Sequence, residues 1–93
     1  MKFLAVCGSG LGTSFMVEMN IIQVLNELGV TGVEVSHSDL SSASPGDADV
    51  FFLAKDIAEG NDHLGEVVVL DNIIDMDELK EKVKKVVEEK NLL

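Results

Sequence analysis

The stretch Lys2-Phe3-Leu4-Ala5-Val6-Cys7-Gly8-Ser9-Gly10-Leu11-Gly12-Thr13-Ser14 decides how this chain folds. Its apolar run, Phe3 to Cys7, shows no polar alternation and ends abruptly at Gly8, which predicts a strand over 2–7 buried on both faces, as in a parallel sheet. From about Thr13 to Leu28 apolar residues return at Val17, Ile21, Val24, Leu25 and Leu28, the three-and-four spacing of an amphipathic helix. Gly29 follows where a left-handed carboxyl-terminal cap belongs. The first unit is therefore strand, glycine loop, helix. Glycines at every second position let the backbone turn tightly and come close to a bound group. Loop N–H groups and the helix amino end, worth roughly half a positive charge, make that loop an anion cradle. The hydroxyls of Ser9, Thr13 and Ser14 add donors.

Beyond the helix, Gly32 to Ser36 alternates and predicts a second, shorter strand, while Asp39 to Asp47 (DLSSASPGD) is turn-rich and holds the single proline. Val50 to Ala54 and Glu66 to Leu70 are the third and fourth strands. Between them the polar segment Lys55 to Leu64, with Gly60 and Asn61, predicts a short helix or loop. A closing helix from Asp75 to about Asn91 places Met76, Leu79, Val83, Val86 and Val87 on one face, with Asp75 and Glu78 spaced as a capping box. Strands alternating with helical segments imply an α/β fold: a small doubly wound, four-stranded parallel sheet flanked by helices, flavodoxin-like or Rossmann-like, with the phosphate loop after the first strand. Ligands of such open sheets bind beyond the carboxyl ends of the strands. That gathers Cys7 to Ser14, Ser36 to Asp39, Lys55 to Asp62 and Asp71 to Asn72 along one edge.

The chain's 93 residues suffice for one modest core, with a folded surface near about 5,200 Å² and roughly two-thirds of the unfolded surface buried. Seventeen acids face seven lysines and no arginine, a net charge of -10. This speaks against capture of nucleic acid or anionic lipid, both of which need clustered cations. A basic partner surface suits it better. The longest apolar runs, such as Phe3 to Cys7 and Val50 to Ala54, fall far short of the roughly 20 residues that cross a bilayer. Phe3 to Cys7 also runs straight into the glycine loop, unlike the core of a signal peptide. A cytosolic protein is expected, in which the lone Cys7 stays reduced and serves chemistry rather than structure.

Cys7 stands where its sulfur faces the cradle, and a helix amino end with convergent N–H groups favours the nucleophilic thiolate. Three chemistries compete for such a loop. A dinucleotide site wants glycines at the first, third and sixth places; Gly8 and Gly10 comply, but Thr13 holds the sixth, although Glu34 imitates the ribose-binding acid. A nucleotide-hydrolysing loop needs a lysine after its last glycine, where Thr13 stands instead. A small cysteine phosphatase needs an arginine six positions after the cysteine to clamp the equatorial oxygens, and that position is again Thr13. What remains is a loop able to hold a phosphoryl group on sulfur but poorly equipped to hydrolyse it, with the phosphatase and a non-catalytic nucleotide- or anion-binding module as alternatives.

The run Cys7-Gly8-Ser9-Gly10-Leu11-Gly12-Thr13-Ser14 resembles the phosphocysteine loop of the IIB components of the bacterial phosphoenolpyruvate-dependent sugar phosphotransferase system, closest to the ascorbate and galactitol types. The likeness continues into the first helix (FMVEMNIIQVL), the VFFLAKDIA segment and the chain length. It implies one IIB domain over residues 1–93 that accepts phosphate from the phosphohistidine of a IIA protein and passes it to a sugar held by a membrane IIC transporter. By the same resemblance Cys7 is the phosphorylated residue, Gly8, Ser9, Gly10, Leu11, Gly12, Thr13 and Ser14 form the cradle, and neither cofactor nor metal is required.

Leu11, Phe15 and Met16 are apolar residues in or beside a loop that faces solvent. They suit an apolar rim for partner docking, or, for Phe15 and Met16, packing inward on the sheet. His37 and His63 lie in polar segments without a second ligand at metal spacing and read as ordinary surface histidines. Asp56 and Asp71 follow the third and fourth strands on the site edge, where they cap loops or repel a phosphoryl group. The charges of the last helix form a solvated face with i,i+4 pairs.

Overall fold

The computed structural model describes residues 1–8 and 11–92, with the backbone alone at 11–13 and 62. Four strands, β1 (Lys2–Cys7), β2 (Glu34–Asp39), β3 (Val50–Ala54) and β4 (Glu66–Leu70), form one all-parallel sheet in the order β2-β1-β3-β4. Helix α1 (Leu11–Leu28) joins β1 to β2, a short α2 (Lys55–Ala58) and a 3₁₀ turn (Asp62–Leu64) join β3 to β4, and α3 (Met76–Glu89) closes the chain. This is the doubly wound α/β arrangement expected from the alternation of strand and helix signals. The folded surface is 5070 Å², close to the value expected for this mass.

Connection order and strand order together fix where each helix lies. The chain moves from β1 outward to β2 and later from β3 outward to β4 in the opposite direction, so right-handed crossovers place α1 and α2 on opposite faces. The core divides accordingly. On one face Phe3, Ala5, Val50 and Phe52 pack against Val17, Ile21, Val24 and Leu25 of α1 and Leu79, Val83, Val86 and Val87 of α3. The Phe3 and Phe52 rings meet there at 5.4 Å between centroids. On the other face Leu4, Val6, Phe51 and Leu53 are covered by Leu64, Ile57, Ala58 and loop residues Leu40, Ala43 and Ala48. At roughly 1.5–3 kcal/mol per buried large apolar side chain, most of the stabilisation comes from the first face.

Helix α1 starts two residues earlier than its apolar spacing suggests and ends as expected. Gly29 adopts φ +75°, Val30 N–H donates to Leu25 O at 2.9 Å and Gly29 N–H to Asn26 O at 3.2 Å, a Schellman cap with buried Val30 returning to the core. Asn91, at φ 58°, ends α3 in the same way, with Leu92 N–H on Val87 O at 2.8 Å. Strand β2 is a correction: it runs Glu34–Asp39, not Gly32 to Ser36. Gly32 has φ +82° and cannot continue a strand, while the polar residues His37 to Asp39 pair with Ala5 to Cys7 of β1. An edge strand tolerates that polarity because one of its sides meets water.

Two lysines reach the opposite edge strand, β4, one on its backbone and one on a side chain. Lys82 Nζ donates to Val69 O and, at 2.7 Å, to Glu78; Lys90 Nζ meets Glu66 at 2.8 Å, which raises the Lys90 pKa.

The start of α3 also departs from its capping-box pattern. Asp75 caps as expected, its carboxylate accepting from Asp77 N–H at 3.0 Å and Glu78 N–H at 3.1 Å. Glu78 does not return to the Asp75 N–H; it accepts from Asp71 N–H at 2.7 Å and Asn72 N–H at 2.9 Å, tying the β4 end to the helix. Lys82 and these two N–H groups push the Glu78 pKa down to about 2 from an ordinary 4.5. A depressed carboxylate stabilises the fold above its unfolded pKa and loses that contribution as pH falls through the folded one. Glu78→Gln should therefore lower the urea midpoint at pH 7, and the gap to the wild type should close as pH falls from about 5 to about 2. A gap that is constant over that range would show that the Glu78 charge does not stabilise the fold.

Candidate functional site

At the carboxyl ends of β1 and β3 the chain departs to opposite faces, toward α1 from Cys7 and toward α2 from Ala54. The divergence leaves a crevice between two adjacent parallel strands, the switch point at which doubly wound folds bind ligands. Cys7 ends β1 on the face that carries α1 and is 7% exposed. Its thiol donates to the Ser14 hydroxyl at 3.3 Å, and Ser14, in the first turns of α1, is fully buried. The Cys7 carbonyl accepts from Leu40 N–H at 2.8 Å, anchoring the strand end to the segment after β2. A group held on this sulfur stands at the amino end of an 18-residue helix, where negative charge is stabilised.

Gly8 is fixed by lack of space rather than by an unusual backbone. A Cβ placed there would lie 2.9 Å from Ile57 Cγ2 on α2, closer than carbon atoms tolerate. Gly8 thus packs directly on the helix that follows the other strand of the switch point. The crevice beside it has a volume of about 220 Å³ and is lined by Cys7, Gly8 and Ser14 on one side and by Ala54, Asp56 and Ile57 on the other. Val17, Phe52, Leu70 and Ile73 form its apolar floor.

Of the residues singled out from sequence, Cys7, Gly8 and Ser14 meet at the crevice, as does Asp56. Ser9 and Gly10 lie outside the described residues, and Leu11, Gly12 and Thr13 are described only as the backbone of the first turn of α1. Phe15 is half exposed and Met16 partly buried. Asp71 lines an adjoining groove with Lys55, Glu59 and Asn72, which shares Ala54, Asp56 and Ile73 with the crevice, and its N–H is held by Glu78. His63 is an exposed residue of the 3₁₀ turn, as expected. His37 is not an ordinary surface histidine: it lies within β2, its Nδ1 2.6 Å from Glu18 of α1, with its ring edge-on to Phe15 at 5.4 Å. That contact joins residues 19 positions apart and left no local sequence signal. The apolar floor from Phe52, Leu70 and Ile73 was equally hidden, since it depends on strand order.

No helix among the described residues is long and apolar enough to cross a membrane. No curated protein matches the chain. The family model for the phosphotransferase-system lactose/cellobiose-specific IIB subunit matches residues 2–87. Its description names lactose and cellobiose, whereas the loop resembles the ascorbate and galactitol types, so the match supports the IIB subunit and not that finer type. Matched from the start of β1 to near the end of α3, the chain belongs to the IIB subunit family, whose members take part in phosphoryl transfer during sugar uptake.

Proposed function

We propose that Cys7 is the phosphoryl acceptor of this IIB subunit, taking the group onto sulfur from the phosphohistidine of a IIA protein and passing it to a sugar bound by a membrane IIC transporter. The observation that carries this reading is the Cys7 thiol at the switch point, 3.3 Å from the buried Ser14 hydroxyl and beside the amino end of α1. Gly8, Ser9, Gly10, Leu11, Gly12, Thr13 and Ser14 form the cradle, their N–H groups meeting the phosphoryl oxygens. Half-exposed Phe15, with Leu11 and Met16, forms the apolar rim on which partners dock. The domain spans residues 1–93 and acts in the cytoplasm. The sugar is selected by the transporter that binds it.

A carrier must hold phosphate without releasing it to water. Hydrolysis spreads charge over three equatorial oxygens, and this chain has no arginine to clamp them. Backbone donors supply part of that stabilisation only. The net charge of -10 also disfavours small anionic substrates, whereas a protein donor brings its own complementary surface.

Incubation with a phosphoenolpyruvate-driven donor cascade should add one phosphate to the intact mass, and Cys7→Ser should abolish it with the circular dichroism spectrum unchanged. Retained labelling in that variant would place the acceptor elsewhere. Turnover of aryl phosphates should be negligible; steady phosphate release that disappears in Cys7→Ser would identify a phosphatase instead. Gly8→Ala should destabilise the fold by about 1–3 kcal/mol through overpacking and slow phosphorylation. In an Ile57→Ala background, where the opposing methyl is gone, the stability penalty should shrink; an undiminished penalty in a double-mutant cycle would rule out the Gly8–Ile57 contact as its cause.

A further inference from the structure

The crevice is larger and less polar than a phosphoryl group requires. Its volume of about 220 Å³ has room for roughly seven waters at about 30 Å³ each, whereas phosphorylation adds only a phosphorus and three oxygens to the sulfur. The floor of Val17, Phe52, Leu70 and Ile73 offers phosphoryl oxygens nothing. Among the described residues lining the crevice, Asp56 alone carries a formal charge, and its sign opposes that of a phosphoryl group. Like charges repel, so a carboxylate lining the same crevice as Cys7 is favourable when an N–H-bearing group stands between phosphoryl group and carboxylate.

Resting on the reading of Cys7 as acceptor, we propose that the crevice seats the protonated imidazole ring of the phosphohistidine donor and that Asp56 accepts the N–H of its unphosphorylated nitrogen, which carries a hydrogen in that cationic form. Flat ring faces suit the apolar floor, and the polar edge meets the one anionic acceptor. In the transfer the Cys7 thiol gives its proton to solvent, its sulfur forms the S–P bond as the P–N bond breaks, and the P–N electron pair remains on the ring nitrogen and neutralises the imidazolium charge. The proton on the opposite nitrogen, held by Asp56, stays in place, so the ring departs as neutral imidazole rather than as an imidazolate anion. A charge-assisted hydrogen bond of this kind is stronger than one between neutral groups. Asp56 is thereby a specificity-determining residue, favouring a phosphoimidazole over phosphoryl donors that lack a ring N–H.

Two small donors separate this role from general electrostatics: N-phosphoimidazole, which carries the ring, and acetyl phosphate, which does not. With uptake on Cys7 followed by intact mass, Asp56→Ala should slow labelling by N-phosphoimidazole about tenfold or more, the loss of a charged hydrogen bond. Asp56→Asn, whose amide oxygen still accepts, should slow it less. Labelling by acetyl phosphate should stay the same or rise in both variants. Asp56 is exposed, and circular dichroism verifies that both variants are folded. Equal changes with the two donors would reduce Asp56 to a repelling charge and overturn the proposal, as would an unchanged N-phosphoimidazole rate or its failure to label wild-type protein that the cascade does label. Absence of labelling by the cascade itself would instead remove the acceptor role of Cys7, and the proposal with it.

Discussion

The rule that parallel crossovers are right-handed governs this molecule, because the two central strands send their connections in opposite lateral directions. With β1 feeding outward to β2 and β3 feeding outward to β4, α1 and α2 have to lie on opposite faces, and the chain has to part between Cys7 and Ala54. The crevice is a geometric result of that parting. Its lining nevertheless depends on side-chain packing, since the large core shared by α1 and α3 holds the first helix firmly enough for Ser14 to meet the thiol.

The two faces of the sheet differ in how they are held. The α1 and α3 side is a continuous aliphatic and aromatic core, whereas the other side is covered by a four-residue helix, a 3₁₀ turn and a turn-rich loop. Local opening is expected first where few buried contacts must break, which is the side bearing α2. The rigid half of the crevice thus carries the sulfur, and the less firmly held half carries Asp56 and Ile57.

Much of this was legible in local sequence, and the reasons are local. Cys7 and the glycine loop could be read because strand, turn and helix amino end are consecutive in the chain, and Gly29 could be read as a cap because an αL residue there needs only its own helix. An apolar pattern reports burial and so starts β2 too early, while Ser36 to Asp39 are held in the sheet by pairing to β1. The Asp75 and Glu78 spacing was correct as a pattern and incomplete as a structure: the Glu78 carboxylate found the N–H groups of Asp71 and Asn72 across the β4–α3 turn. The pairing of Glu18 with His37 depends on strand order and had no local signature, whereas Asp56 was legible on the site edge from its position after the third strand.

The cover over β4 bears on how this protein behaves at high concentration. A strand at the margin of a sheet presents carbonyl and amide groups that invite another chain to add on, and this one carries three consecutive valines, Val67 to Val69. The Lys82 ammonium occupies the Val69 carbonyl and Lys90 holds Glu66 at the start of the strand. A new strand would have to displace Lys82 from that carbonyl before its ladder could form there. A cation that takes no part in the chemistry of the crevice thus guards this edge against pairing with another chain.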